Sequence, residues 1–264
     1  MARPNRADLG GSLIPKILIA VLTTYERHGW PHPDILKWVT DLPRDDRYAT
    51  LVTTIHNFSP AAAGRNVFCK MASEEGMGWD WLCMVDNDMA PPANLLDTLK
   101  GVPADADIVV PTFYLWDQTQ GRLALCWSSD ELEKEVSLTP GSSKTLENRF
   151  YELTKCGTGV IFIKAKSLRK LSYPYFKYLY NADQGMAATE DIQFCLKARE
   201  AGLKIYGNPM IRVGHFHSVD LNTLNLLLCN TKFSIDKSNP VSIGSKTTAE
   251  ASPAETVAAC PANQ

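Results

Sequence analysis

Two carboxylates, Asp86 and Asp88, stand one residue apart where the apolar run Trp81–Val85 ends, in "WDWLCMVDNDMAPP" (79–92). In an extended chain, residues i and i+2 point to the same side, so both carboxylates can face one cation. Mg2+ and Mn2+ favour oxygen ligands and often join a few carboxylates to a substrate's phosphates. A plain turn explains the same residues, since Asp and Asn favour turns. A second acidic pair follows Thr189, as Glu190-Asp191. Carboxylates in a helix's first turn suit its dipole, by ~0.3–1 kcal/mol, which accounts for the pair without function. The chemical alternative is a general base held at a helix start and aimed into a cleft.

Four further patterns carry weaker signals. In "VGHFH", His215 and His217 alternate along a short strand. Histidine is a common metal ligand, but a lone one is more often structural. No Cys or His cluster with zinc spacing accompanies them. Arg65-Asn66, just inside a helix start, could contact phosphate or a base, although a solvated surface Arg is the better bet. Gly157-Thr158-Gly159 permits close backbone approach to a ligand and equally permits a tight turn into a strand. The aromatics Tyr173, Tyr175, Phe176, Tyr178 and Tyr180 offer a sugar-stacking surface, with core packing under a loop as the plainer account.

The elements that must position these groups follow from periodicity. "PKILIAVLTT" (15–24) is a branched apolar run, as in a strand buried on both faces. Helical spacing over 33–42, a strand over 48–55, and a helix over 61–76 ended by Gly76 come next. Strand 81–85 precedes Pro91-Pro92, which can open a helix ended by Gly101. Strand 107–114 completes a β-α-β-α-β-α-β alternation, the signature of a doubly wound sheet. The middle, 115–153, predicts a hairpin turning near Gly121, then polar loop. Residues 157–171 predict a strand and a short helix, and 173–188 an irregular aromatic loop. Thr189 caps a helix with Ile192, Cys195 and Leu196 on one face, and Gly202 stops it. Residues 1–13 make a flexible arm, 14–235 one domain, and 236–264 a Ser/Thr/Ala/Pro-rich tail expected to be disordered.

Composition narrows the classes. The 264 residues carry a net charge of −2, with 45% apolar and 21% charged residues, ordinary for a soluble globular protein. Near-neutral charge gives no reason to expect nucleic acid or an anionic membrane as the main partner. The seven cysteines are odd in number and form no C-x-x-C pair, which points to reduced thiols and a cytoplasmic location. The N-terminus lacks an apolar signal region, and no apolar stretch is long enough to span a bilayer.

The order of motifs adds what no single motif supplies. A first strand ending "TTYE", then "GRN", "VDNDMAPP", "DIVVPTFY", "GTGVIFIKAKSLRKL", "TEDIQFCLKAREAGLKIY" and "GHFH" resembles the family-2-like glycosyltransferases with the GT-A fold, over about residues 14–218. The resemblance implies a mostly parallel, doubly wound central sheet with flanking helices and a smaller mixed acceptor-side region. It implies a UDP- or GDP-linked sugar donor, an acceptor hydroxyl, and Mn2+ or Mg2+. Asp88 would bind the metal, Asp86 would lie near it or the ribose, and His215 would match a late metal ligand. Asp191, beside Glu190, would match the catalytic base, opposite the leaving diphosphate as inversion requires. Thr23, Thr24, Tyr25, Glu26 and Arg65 would line the nucleotide pocket, with Asn87, Gly157 and Gly159 against the donor. The Q-x-x-R-W motif of processive synthases is absent, which argues for single transfers.

Three rival classes compete. A haloacid-dehalogenase-type phosphatase also uses D-x-D after a strand, but it needs its nucleophile near the chain start and Thr or Val where Ala90 stands. A sugar nucleotidyltransferase needs a Gly-rich, Arg-containing loop after the first strand, which "TTYERHGW" lacks. A non-catalytic nucleotide-sugar-binding protein would keep the pocket without turnover, and no missing acidic residue supports it.

Overall fold

The computed structural model describes residues 14–23, 31–42, 46–56, 61–117, 122–135, 146–181 and 185–216. All lie in the first of the chain's two units, Met1–His217. Thr24, Tyr25, Glu26, Gly121 and His217 lie outside the described residues, as do the expected arm (1–13), the 235/236 boundary and the tail.

In chain order the elements begin with β1 (Lys16–Thr23), α1 (Pro33–Asp41), β2 (Ala49–His56), α2 (Ala61–Ser73), β3 (Trp81–Asp86), β4 (Met89–Ala90) and β5 (Ile108–Thr112). A hairpin of β6 (Tyr114–Asp117) and β7 (Arg122–Leu125) leads to β8 (Trp127–Ser128), α3 (Asp130–Glu135), β9 (Tyr151–Glu152) and β10 (Lys155–Cys156). Then come β11 (Val160–Lys164), α4 (Ala165–Leu168), β12 (Leu179–Asn181), β13 (Gly185–Ala188), α5 (Glu190–Glu200), β14 (Ile205–Arg212) and β15 (Gly214–His215).

Seven strands form one sheet in the order β2-β1-β3-β11-β5-β14-β9. β2, β1, β3, β5 and β14 run one way, while β11 and β9 run the other. The mostly parallel sheet expected from the alternation is therefore present, with smaller two-stranded antiparallel pairs beside it. β1 is buried from Ile17 onward, and β3, β5 and β11 are buried along nearly their whole length, as strands covered on both faces should be. α2 packs on β1, β3 and α4. Its inward side carries Ala62, Phe68, Cys69 and Ala72, and also Arg65 and Asn66.

Several expectations are corrected. α2 stops at Ser73 rather than Gly76. A short 3-10 turn, Glu75–Met77, follows, and Gly78 takes the left-handed conformation at φ 64°, where a side chain would be strained. The segment after Pro91-Pro92 is no α-helix but a 3-10 turn, Leu95–Leu99, in which adjacent Leu95 and Leu96 are both buried with Leu99. With a glycine waiting at 101, tight i→i+3 closure buries all three in few residues. The aromatic loop contains the β12–β13 pair. The buried face of α5 is Glu190, Phe194, Cys195 and Ala198, whereas Leu196 is exposed. The stack of Phe194 on Phe176, 4.2 Å between centroids, sets that rotation. Gly202 does stand just past the α5 cap, in the left-handed region.

Candidate active site

The reversed strand β11 builds the site. Because β11 runs antiparallel to β3, its beginning lies at the end of β3, with Val160 opposite Val85. The Asp86 N–H donates to the Gly159 carbonyl at 2.8 Å, extending the ladder by one bond. The Gly157–Gly159 segment therefore reaches the acidic turn as soon as β3 ends. A Cβ on Gly159 would meet Met89 Sδ at 3.0 Å and Phe113 at 3.3 Å. The Gly157 N–H donates to the Cys126 carbonyl at 2.6 Å. The close approach these glycines permit is thus to the protein's own side chains and backbone.

Arg65 is the hub, and it is not the surface residue that its local sequence favours. Its side chain is 3% exposed. Nη2 donates to both Asp86 oxygens at 2.9 and 2.7 Å, and Nη1 donates to Glu190 Oε1 at 2.6 Å. Asp191 Oδ1 lies 3.5 Å from Nη1. Nε is buried and has no hydrogen-bond partner among the described residues. Burial works to lower the guanidinium's pKa, but Asp86, Asp191 and Glu190 outweigh it and raise it. Burial pushes Asp86 up to about 7, against the pull of Arg65 and with help from Asp88 and Asp191. One cation among three carboxylates leaves an excess of negative charge at this edge of the sheet.

Asp191 is fixed from a second side, since Thr158 Oγ1 donates to its Oδ1 at 2.5 Å. The threonine between the two glycines is fully buried and is the part of that motif that serves the site. Asn66 pins the aromatic segment: Nδ2 donates to the Phe176 carbonyl at 2.8 Å, and Oδ1 accepts from the Phe176 N–H at 2.9 Å. Tyr175 and Phe176 are core, while Tyr173 and Tyr180 are each 69% exposed. Between them Tyr178 lies near Glu190, and burial followed by that carboxylate pushes its phenol up to about 12.

At the other end of the turn, Asp88 faces His215. Nε2 of His215 is 3.4 Å from Asp88 Oδ2, and Nδ1 lies 2.9 Å from the Tyr114 carbonyl. A carbonyl only accepts, so Nδ1 carries the proton, and in the neutral ring Nε2 presents its lone pair toward Asp88. The pairing with Asp88 raises the His215 pKa, although burial opposes it. β15 makes this contact by pairing with β4, Gly214 opposite Ala90 and His215 opposite Met89.

The expected metal set of Asp86, Asp88 and His215 is not assembled. Among the described residues no three His, Cys, Asp or Glu side chains converge to hold an ion. Asp86 is turned to Arg65, because a buried guanidinium needs counter-charge and takes both of its oxygens. Asp88 and His215 remain as a facing carboxylate and imidazole, a donor pair suited to a divalent cation whose other ligands come from substrate and water. A carbonyl on the distal nitrogen is the usual second support of a metal-binding histidine. Thr23 ends β1 and is buried. Asn87 sits at the tip of the turn, with its Nδ2 buried and without a hydrogen-bond partner among the described residues.

No family model matches the chain, and no curated protein matches it by sequence. Solved structures do. The chain is similar to A197 from STIV, with a TM-score of 0.53 at 18% identity over 77% of this chain and 86% of that one. It is also similar to GalNAc-T7 with UDP, GalNAc and Mn2+, with a TM-score of 0.46 at 10% identity over 78% of this chain and 44% of that one. A third similarity is to a mutant Drosophila β1,4-galactosyltransferase 7 in complex with manganese, UDP-Gal and xylobiose, with a TM-score of 0.43 at 14% identity, 78% and 72% covered. The likeness to A197 is one of fold.

Proposed function

We propose that this chain is a metal-dependent glycosyltransferase, moving a sugar from a nucleotide-diphosphate sugar to an acceptor hydroxyl in single transfers with inversion. One observation carries the proposal: Arg65 ties the D-x-D strand end to the acidic start of α5, so carboxylates 104 residues apart in sequence serve one site. The motif order of the sequence resemblance supports the assignment of roles. UDP- and GDP-linked sugars are the donor classes it implies.

Asp88 and His215 would hold Mn2+ or Mg2+. A bound cation supplies Lewis-acid stabilisation of the charge that grows on the departing diphosphate. Asp86, held by Arg65, orients the donor from the end of β3. Asp191 takes the acceptor hydroxyl's proton, and Thr158 and Arg65 hold its carboxylate in place for that transfer. Glu190 shares Arg65 and keeps the guanidinium between the two acidic elements. By the sequence resemblance, Thr23 and the residues Thr24, Tyr25 and Glu26 that follow it in sequence would serve the nucleotide side.

The described cysteines, Cys69, Cys83, Cys126, Cys156 and Cys195, are buried free thiols, which supports a reducing, cytoplasmic setting. Among the described residues no helix is long and apolar enough to cross a membrane.

The deciding experiment is a thermal-shift screen of UDP- and GDP-sugars with Mn2+, followed by transfer assays with the stabilising donor. Specific donors are expected to raise Tm by mass action. Asp191→Asn is expected to keep donor binding and lose transfer. Proton NMR of the product's anomeric centre is expected to show an α-linked donor giving a β-linked product. A retained configuration removes Asp191 from the base role, and absence of any donor stabilisation refutes the glycosyltransferase assignment.

A further inference from the structure

Three distant chain segments meet at the acidic turn. The Asn87 carbonyl accepts the His32 N–H at 3.0 Å, and the Asp88 carbonyl accepts the Phe216 N–H at 2.8 Å. The rings of these two donors stack on each other, 3.6 Å between centroids and 18° from parallel. His32 is also the N-cap of α1, its Nδ1 accepting the Asp34 N–H at 3.3 Å. Phe216 directly follows His215. The turn is not held by its own tip, since Asn87 Nδ2 finds no hydrogen-bond partner among the described residues. Its two successive carbonyls are held instead by the two residues whose rings touch.

We propose that His32 and Phe216 are positioning residues, a stacked clamp that fixes the Asp88 carboxylate against the His215 ring. The peptide planes on either side of Asp88 set the direction of its side chain, and each carries one of the clamp's hydrogen bonds. Phe216 is joined to the site twice, through its N–H to Asp88 and through its peptide bond to His215. Anchoring its ring therefore holds both partners of the pair. Phe216 is 45% exposed, so burial alone does not place its ring, and the ring contact it makes among the described residues is the stack on His32. The role in metal binding rests on the assignment of Asp88 and His215 above. The clamp itself does not.

The test uses full-length, metal-free protein and amide hydrogen exchange by NMR. Phe216→Ala is expected to speed exchange at the His32 N–H, 184 residues away in sequence. His32→Asn, which keeps a capping side chain, is expected to speed exchange at the Phe216 N–H. An aromatic pair of ordinary strength corresponds to about a 3- to 10-fold change. The double variant should be no faster than either single one, because both remove one interaction. Phe216→Tyr, which keeps the stack, should match the wild type. The His215 ring 15N shifts should move in Phe216→Ala and hold in Phe216→Tyr. In a parallel Mn2+ titration followed by EPR, affinity should fall by a similar factor in Phe216→Ala. Unchanged exchange at His32 overturns the clamp. Altered exchange with unmoved His215 shifts overturns its positioning role. A wild type that takes up no Mn2+ refutes the metal assignment instead, and exchange and ring shifts then decide the clamp alone.

Discussion

Asp86 and Asp88 differ by one residue in sequence and by partner in space. Asp86 gives both oxygens to Arg65, and Asp88 faces His215. The two should respond differently to substitution. Asp88→Asn is expected to lower Mn2+ affinity at least tenfold by EPR titration while leaving the circular dichroism spectrum unchanged, since the bonds from the His32 and Phe216 N–H groups that hold the turn are accepted by main-chain carbonyls, which the substitution keeps. The His215–Asp88 pair also carries a pH signature in the metal-free protein. The neighbouring carboxylate raises the folded pKa of His215 above its ordinary 6.5. A raised folded pKa means the pairing contributes its stability in full below pH ~6.5 and loses it as pH rises through the folded value. The Tm advantage of wild type over His215→Gln, measured in EDTA, is therefore expected to be largest in mildly acidic buffer and to shrink as pH rises through the folded value. An advantage that grows with pH would contradict the pairing.

At the scale of elements, the site depends on the two-residue pairing of β4 with β15. A Cβ on Gly214 would lie 2.9 Å from the Ala90 Cβ, closer than such atoms approach. Gly214→Ala must therefore push the two strands apart, and with them Asp88 and His215. The expected cost is about 1–3 kcal/mol, as for other overpacked contacts, with weaker Mn2+ binding. Exchanging the residues, Ala90→Gly with Gly214→Ala, restores the missing space and is expected to recover most of both losses. Denaturant unfolding and Mn2+ titration of the three variants check this, and a swap no better than Gly214→Ala would show that backbone preference rather than contact sets the cost. The same logic explains β11. Its reversal delivers Thr158 to Asp191 at the end of β3, which a parallel strand in that place would not do.

For the whole molecule, Arg65 is a cross-tie. It joins α2 to the end of β3 and to the start of α5, 125 residues further on. Removing one partner from a buried ion cluster leaves uncompensated charge, at about 3–5 kcal/mol. Arg65→Met is expected to unfold at correspondingly lower denaturant. Adding Asp86→Asn and Glu190→Gln should restore part of that stability but no donor binding. A stable Arg65→Met single variant would show that the cluster is not a structural tie. Truncation after residue 236 is expected to preserve the fold and donor stabilisation by thermal shift, because the composition beyond it builds no core.

Much of this protein is legible in the sequence where the determining forces are local. The β1 and β3 strands follow from continuous apolar runs, the end of α5 from Gly202, and the acidic turn from Asp86-Asn87-Asp88 at a strand's end; Thr189 does stand at the N-cap position of α5, but its side chain makes no capping hydrogen bond. Periodicity and capping act over a few residues, so a linear reading captures them. The resemblance in motif order brought Asp88, Asp191 and His215 to notice together. What tertiary structure alone decided is which groups share a charge. Nothing in "AAAGRNV" marks Arg65 as buried, because its burial is stabilised by carboxylates 21, 125 and 126 positions away. The β11 reversal has no local signal either, since an apolar strand reads the same in both directions. His32 and Phe216 look like a turn residue and a strand end until the sheet brings their rings together. Thr158 passes for part of a glycine turn until α5 presents Asp191. Long-range electrostatics and packing made those assignments, and they depend on distances that sequence order does not contain.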